Sequence, residues 1–214
     1  MGQYAHGVPR PRLTDIRRHQ ILEAAAAVIA ERGLADARVS DIAARIDVSP
    51  ALILYYFESK DVLLGEALAH KDRQFFDSVE AAMADEPSPV VRLALLIEAS
   101  CPTKGNGVGI DDEYVLWIEA WARARHDKDL AQARVEMDTR WRTTIADVVE
   151  AGKLSGEFDA SVPTDDFALK LSGLIDGLAI QVLLGEEIRP EHMRRLCLES
   201  AASDLGFDLS LVET

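Results

Sequence analysis

The sequence lacks the features that usually mark secreted, membrane-bound and metal-binding chains. Its 214 residues include only two cysteines, Cys101 and Cys197, whose wide separation suggests neither a disulfide framework nor a zinc site. The segment Met1 to Arg12 lacks the apolar core of a signal peptide, and no apolar run approaches the roughly 20 residues that span a bilayer. We therefore expect a soluble, cytoplasmic protein without membrane contact.

Signatures of catalysis are also missing. The chain contains neither G-x-S-x-G nor H-E-x-x-H, and its five histidines show no ligand spacing. The glycines within Pro102–Ile110 do not form a nucleotide loop, because no strand precedes them and no Lys-Ser/Thr follows. The acidic run Asp111-Asp112-Glu113 stands at a predicted helix N-terminus, where negative charge is favourable without a bound cation. We predict a protein that is not an enzyme and that holds no cofactor or metal.

The negative charge is unevenly distributed along the chain. The net charge is −14, yet residues 1–75 contain ten basic and ten acidic residues, so the whole excess lies in residues 76–214. The segment Met1–Arg18 carries four arginines against Asp15 alone. A basic arm on a neutral region is typical of local DNA binding despite a low overall pI. Charge alone leaves a solvated, unevenly charged surface equally open.

The hydrophobic periodicity is helical throughout, and no segment alternates with period two. We predict an all-α protein with about nine helices. The predicted helices cover approximately residues 14–32, 41–46, 50–57, 60–83, 89–100, 111–125, 128–151, 164–184 and 190–206. The predicted helix caps are Thr14, Ser40, Ser49, Ser59 and Thr164, with Gly33 as the stop of the first helix.

The stretch Val39–Lys60 is the most informative part of the chain. Two short predicted helices meet at Asp47, in a turn where aspartate tolerates positive φ. The second helix starts at Ser49-Pro50 and ends in Tyr55-Tyr56-Phe57, and such a pair is typical of a helix-turn-helix. A helical hairpin inside another kind of bundle is the alternative interpretation.

The segment of residues 12–71 resembles the N-terminal domain of the TetR (tetracycline repressor) family of transcriptional regulators. The matching runs are Ile21-Leu22-Glu23-Ala24-Ala25, Glu31-Arg32-Gly33, Val39-Ser40-Asp41-Ile42-Ala43, Val48-Ser49 and Tyr56-Phe57-Glu58-Ser59-Lys60-Asp61-Val62-Leu63. Two positions depart from the family pattern, because Asp47 replaces its usual glycine and Leu54 its first tyrosine. The later half resembles the BetI-like branch, in the runs Trp117–Ala124, Trp141-Arg142 and Leu174–Ala179.

The resemblance implies two domains and a regulatory function. It implies a DNA-binding domain over residues 12–71 and an effector-binding and dimerisation domain over residues 72–214. The expected protein is a homodimeric repressor that binds palindromic operator DNA and is released by a small-molecule effector. An all-α enzyme acting in a C-terminal cavity and a helical adaptor for protein partners are the alternatives.

The predicted DNA contacts lie on the basic arm and the helix-turn-helix. Basic side chains and tyrosine hydroxyls suit phosphate oxygens, and serines at helix N-termini bring hydroxyl and backbone N–H donors to the same groups. Small or apolar residues early in the third helix could touch thymine methyl groups. The predicted DNA-binding residues are Arg10, Arg12, Arg17, Ser40, Ser49, Ala51, Leu52, Tyr55, Tyr56 and Lys60.

The predicted dimer interface rests on two glycines, Gly173 and Gly177, inside the eighth helix. Each costs roughly 1 kcal/mol relative to alanine in a helix interior, and together they allow another helix to approach closely. The approaching helix could belong to a second subunit or to the same one. The predicted interface residues are Gly173, Leu174, Gly177, Leu178 and Val182.

An aromatic cluster in the C-terminal half predicts the effector pocket, although a plain hydrophobic core is the alternative. All three tryptophans of the chain lie in two neighbouring predicted helices. Because this half carries the negative charge, we expect a neutral or cationic effector, and an aromatic wall with a carboxylate suits an ammonium group. The predicted pocket residues are Glu98, Tyr114, Trp117, Trp121, Trp141 and Asp176.

Overall fold

The computed structural model describes residues 13–101, 110–185 and 188–212. The predicted DNA-binding residues Arg10 and Arg12 lie outside the described residues. The same holds for most of the glycine-rich stretch after Cys101 and for the side chains of the acidic run 111–113.

All regular secondary structure in the described residues is helical, which confirms the predicted all-α class. The helices are α1 Leu13–Asp36, α2 Val39–Arg45, α3 Pro50–Tyr56, α4 Lys60–Met83, α5 Pro89–Ala99, α6 Ile110–Ala124, α7 Lys128–Ser155, α8 Thr164–Leu183 and α9 Pro190–Leu205, followed by a 3-10 turn at Leu209–Leu211. Among these described helices, none is both long and apolar enough to cross a membrane.

Local capping explains several helix boundaries as predicted. The Ser49 hydroxyl accepts a hydrogen bond from the backbone N–H of Leu52, at 3.2 Å, and starts α3. The Ser59 hydroxyl accepts one from Val62, also at 3.2 Å, where α4 begins. Gly33 has a φ of 78° and interrupts the helical geometry of α1 near the predicted stop.

Three predicted caps are wrong. Thr14 lies within α1, which already begins at Leu13. Ser40 lies in the first turn of α2, whose N-cap is Arg38. The N-cap of α8 is Pro163, and the hydroxyl of Thr164 is instead bonded to the side chains of Glu150 and Lys153. In α8, hydrogen bonds to the preceding helix replaced the local cap.

The chain divides into two compact units, Met1–Ala67 and Leu68–Thr214. In the first unit, Ile21, Ile29, Ile42, Ile53 and Phe57 are almost completely buried. Because Ile53 and Phe57 are four residues apart at the end of α3, burying both fixes which side of that helix faces the core.

The turn between α2 and α3 follows the sequence prediction. Asp47 has a φ of 53°, in the left-handed region that aspartate tolerates better than most residues. The backbone N–H of the next residue, Val48, donates to the carbonyl of Ala43 at 3.0 Å. This turn therefore joins the two helices of a helix-turn-helix.

The second unit has its core among α5, α7, α8 and α9. Buried residues such as Ile97, Ile145, Ile175 and Cys197 meet there. α7 continues to Ser155, about one turn beyond its predicted end, and Gly156 in the left-handed conformation closes it. Gly152 accordingly lies within the last turns of this helix rather than starting a loop.

Substitution of Gly152 by alanine tests the packing at this helix end. A Cβ atom there would overlap the ring of buried Phe158, and overpacking of this kind costs roughly 1–3 kcal/mol. We expect the free energy of unfolding, measured by chemical denaturation, to fall by that amount. Gly65→Ala is the control, because a Cβ there meets nothing within 4 Å and alanine is the better helix former. Equal stability of the two variants would contradict the assignment.

Candidate nucleic-acid interface and effector cavity

One side of α3 is exposed in the first unit. Pro50, Ala51, Leu54 and Tyr55 are exposed, on the side away from buried Ile53. Tyr55 is 82% exposed and Leu54 47%, which are large fractions for residues of this size. A short helix that presents such a side after a tight turn has the form of a recognition helix.

The other predicted residues of the helix-turn-helix lie at different depths. Ser49 and Ser40 are exposed, whereas Arg17 is half-buried. Of the two apolar residues predicted to touch thymine methyl groups, Ala51 is exposed and Leu52 is half-buried, so the role of Leu52 stays a prediction. Tyr56 is half-buried too, with its ring edge-on to that of Tyr55 at 5.6 Å between centroids.

Two basic residues also contribute to the folding of this unit. The Lys60 Nζ donates a hydrogen bond to the carbonyl of Ala35 at 3.2 Å. The Arg18 guanidinium donates to the carbonyl of Tyr56 at 3.0 Å, lies 4.4 Å from the Phe57 ring centroid and pairs with Glu66. Arg18 therefore holds the C-terminal end of α3.

Sequence reasoning missed two exposed residues of this surface, Leu54 and Arg38. Leu54 was noted only as a departure from the family pattern, although its position next to buried Ile53 was a usable signal. Arg38 is exposed at the N-terminus of α2, close in sequence to Ser40.

The second unit contains a cavity of about 240 Å³ between α4, α5, α6, α7 and α8. Five of the six predicted pocket residues line it, namely Tyr114, Trp117, Trp121, Trp141 and Asp176. Glu98 is not among the lining residues, because it is exposed and pairs with Arg194 of α9. The structure therefore brings five of the six predicted residues together around one cavity, and their role in binding an effector stays a prediction.

Aromatic rings from three helices form much of the cavity wall. The ring of Phe75 in α4 contacts that of Trp141 in α7, with 5.6 Å between centroids. The ring of Phe76 lies 5.4 Å from that of Phe75. The Tyr114 hydroxyl of α6 donates to the carbonyl of Ser100 at 3.0 Å, which fixes the direction of that side chain. Phe75 and Phe76 were not predicted, because nothing local in the sequence relates α4 to the tryptophans.

Three carboxylates line the cavity, and two of them have basic partners. Arg140 lies 3.9 Å from Asp72, and Arg134 lies 3.3 Å from Asp138. Asp176 has no ion-pair partner within 4.0 Å among the described residues. Burial and, to a smaller extent, the nearby Asp138 raise the pKa of Asp176 to about 6, and Arg134 opposes both effects. Asp176 is thus the carboxylate for which a cationic ligand would supply the missing partner.

Trp121 is held in an unusual setting at this cavity. The Arg134 guanidinium lies 5.7 Å from the centroid of its ring. Its Nε1 is buried and has no hydrogen-bond partner among the described residues. A buried indole N–H without a partner is unfavourable, since it loses its bond to water without replacement.

Helix α8 contains the two glycines singled out in the sequence, and Gly173 also lines the cavity. Gly173 and Gly177 are exposed, and a Cβ at either would meet no atom within 4 Å. They therefore do not serve close packing within the described subunit, the alternative that the sequence left open. Leu174 and Val182 are half-buried, whereas Leu178 belongs to the core of its own subunit rather than to an outer surface.

These two units define a class of protein, a helix-turn-helix regulator with a ligand cavity in a helical bundle. Residues 21–67 match the tetR family of bacterial regulatory proteins, and residues 89–206 match the C-terminal domain of BetI-type transcriptional repressors. The chain belongs to the TetR family and is a DNA-binding transcriptional regulator of its BetI-type branch, which confirms the resemblance.

Relatives match over nearly the whole chain. The HTH-type transcriptional regulator BetI of Cronobacter sakazakii is 29% identical over 211 residues, 93% of this chain and 96% of that protein. A transcriptional regulator from Saccharomonospora viridis, solved in complex with choline, is 34% identical, with a TM-score of 0.81 over 88% of this chain and 96% of its own. A TetR-family regulator from Rhodococcus sp. is 27% identical, with a TM-score of 0.75 over 88% and 98%.

Proposed function

We propose that this regulator is a homodimeric repressor that leaves its operator when a small organic cation enters the cavity of the second unit. The observation that carries the proposal is the aromatic cavity with Asp176 as a carboxylate lacking an ion-pair partner. We assign ligand binding, and not catalysis, to this cavity. The alternative is that the protein is an enzyme, and an assay for substrate consumption would detect its activity.

The proposed DNA contacts lie on α3 and around its N-terminus. Tyr55, Leu54 and Ala51 form the exposed side that would enter the major groove, where apolar groups contact thymine methyls and a phenol reaches a phosphate. Ser49 and Ser40 would hold phosphates at the starts of their helices. Lys60, Tyr56 and Arg17 are further candidates for the backbone, with Arg10 and Arg12 on the arm. Two such units would read half-sites about 34–36 Å apart.

The proposed dimer brings α8 of one subunit against α8 and α9 of another. The support is the exposed pair Gly173 and Gly177, which leaves the helix backbone open to close approach. Leu184, 72% exposed at the end of α8, extends this side with an apolar group. A palindromic operator would match the two-fold symmetry of such a dimer.

The proposed effector is a small monovalent ammonium compound. The cavity is small, and its rings offer the negative faces that attract a cation, at about 0.5–2 kcal/mol per ring. Its three carboxylates outnumber the two arginines that line it, Arg134 and Arg142. The relative from Saccharomonospora viridis supports this chemistry, because its structure contains choline.

The replacement of Lys60 by methionine tests the phosphate contact. If Lys60 binds a phosphate, the slope of log affinity against log salt should fall by about one unit. The measurement is fluorescence anisotropy with DNA that the protein has selected from a random library. Lys128→Met, at an exposed lysine of the second unit, should leave the slope unchanged. A lower melting temperature with an unchanged slope would contradict the phosphate contact and would show that Lys60 acts only through its hydrogen bond to the carbonyl of Ala35.

The replacement of Gly177 by leucine tests the dimer. Within one subunit the new side chain has space and improves helix propensity, so folding should not suffer. Across a close helix pair it would overpack the contact by roughly 1–3 kcal/mol. Analytical ultracentrifugation should therefore show more monomer, and operator affinity should fall in parallel. A folded variant that remains fully dimeric would place the interface elsewhere.

Choline tests the effector class. We expect choline to change tryptophan emission and to release the selected DNA, because all three tryptophans line the cavity. A cation binds best to ionised Asp176, whose pKa is about 6, so choline affinity should weaken as the pH falls below about 6. Asp176→Asn should bind choline more weakly and lose this pH dependence. Release of DNA without any emission change and without sensitivity to Asp176 would move the effector site elsewhere.

A further inference from the structure

Arg134 brings a positive charge to the groups that a cationic ligand would use. Its guanidinium lies 5.7 Å from the centroid of Trp121, and its Nε lies 3.3 Å from the Oδ2 of Asp138. Its charge also acts on Asp176, where it favours the ionised carboxylate. Arg134, Trp121, Asp138 and Asp176 all line the same cavity, although they come from three helices.

These are the interactions that recognise an ammonium ion. A ring face and a carboxylate together attract any cation. The guanidinium of Arg134 is such a cation, supplied by the protein itself, and it makes both contacts. Its side chain is 48% exposed, so water can solvate the guanidinium if it leaves. Both contacts are weak for a group with that exposure. The cavity therefore already contains a cation that is easily displaced.

We propose that Arg134 is the resident cation of the effector cavity and that a cationic effector binds by displacing it from Trp121 and Asp138. This inference rests on the cationic effector proposed above and adds the residue that sets its affinity and selectivity. An ammonium compound replaces the contacts that Arg134 gives up. A neutral compound of the same shape would leave Asp138 without its ion-pair partner and would not replace the favourable effect of Arg134 on ionised Asp176.

Arg140 offers a matched comparison on the same helix. It lies 3.8 Å over Phe76 and near Asp72 and Glu80, and it does not line the cavity. Its removal takes away a positive charge close to the cavity but no group over Trp121. A general electrostatic effect would appear in variants at both arginines, whereas displacement is specific to Arg134.

The experiment compares choline affinity in the full-length wild type, Arg134→Met and Arg140→Met, by calorimetry and tryptophan emission. We expect Arg134→Met to bind choline about tenfold more tightly, as for the loss of two weak competing contacts. Arg140→Met should change it much less. The uncharged analogue of choline, with tert-butyl in place of trimethylammonium, should also bind Arg134→Met more tightly than the wild type, because it no longer has to displace the guanidinium. A purely electrostatic effect would leave its affinity unchanged.

Tryptophan emission supplies a second readout. Arg134→Met should differ from the wild type without ligand, because the guanidinium no longer lies over Trp121. Saturation with choline should make the two spectra alike, because Arg134 has left the ring in the wild type. Arg134→Gln, which keeps a polar side chain, repeats the test if the methionine variant folds poorly.

The outcomes separate this inference from the function on which it rests. If choline binds the wild type and Arg134→Met equally, or if both arginine variants gain equally, Arg134 is not a competitor and the inference is overturned. If choline binds neither the wild type nor either Arg134 variant, the cationic effector itself is refuted, and the inference with it. Choline binding that is detectable only after Arg134 is replaced would support displacement.

Discussion

Helix α7 packs in the apolar core at its C-terminal half and lines the cavity at its N-terminal half, and the arrangement of the second unit depends on this division. Its C-terminal half carries Ile145, Val148 and Val149 into the apolar core with α5 and α8. Its N-terminal half carries Asp138 and Trp141, which line the cavity together with other charged residues. Removing apolar area from water stabilises the first half without any help from the second. The cavity can therefore keep polar groups and empty space that a fully packed bundle would exclude.

In the first unit, a few local interactions add to the buried core and fix the backbone of the helix-turn-helix. Asp47 supplies the turn, Ser49 caps the helix that follows it, and Arg18 holds the other end of that helix. Each of these interactions fixes the backbone of α3 rather than its outer side chains. The exposed side chains, among them those of Leu54 and Tyr55, are accordingly not needed to hold α3 in place. The outer side chains of such a helix can therefore be substituted with little effect on its fold.

Charge in the cavity is arranged by burial and by pairing across helices. Asp72 and Asp138 have arginine neighbours at 3.9 Å and 3.3 Å, whereas burial and Asp138 raise the pKa of Asp176 to about 6. The net charge of the chain does not predict this difference, because surface acidity is screened by solvent and the cavity is not. A ligand in the cavity would therefore respond to Asp176 and Arg134 more than to the net charge of −14.

From the sequence alone we could predict the helical class, the helix-turn-helix with its left-handed Asp47, the Ser49 and Ser59 caps and the aromatic stripe of α6 that lines the cavity. Each follows from residues within a few positions of one another, where helical periodicity and capping act. The pairing of Glu98 with Arg194, 96 residues later, and the burial of Leu178 in the core depend instead on how the helices pack together. The same packing decides that Phe75 meets Trp141 and that Arg134 lies over Trp121. Those contacts join different helices, and periodicity along a single helix carries no information about which partner its side chains meet.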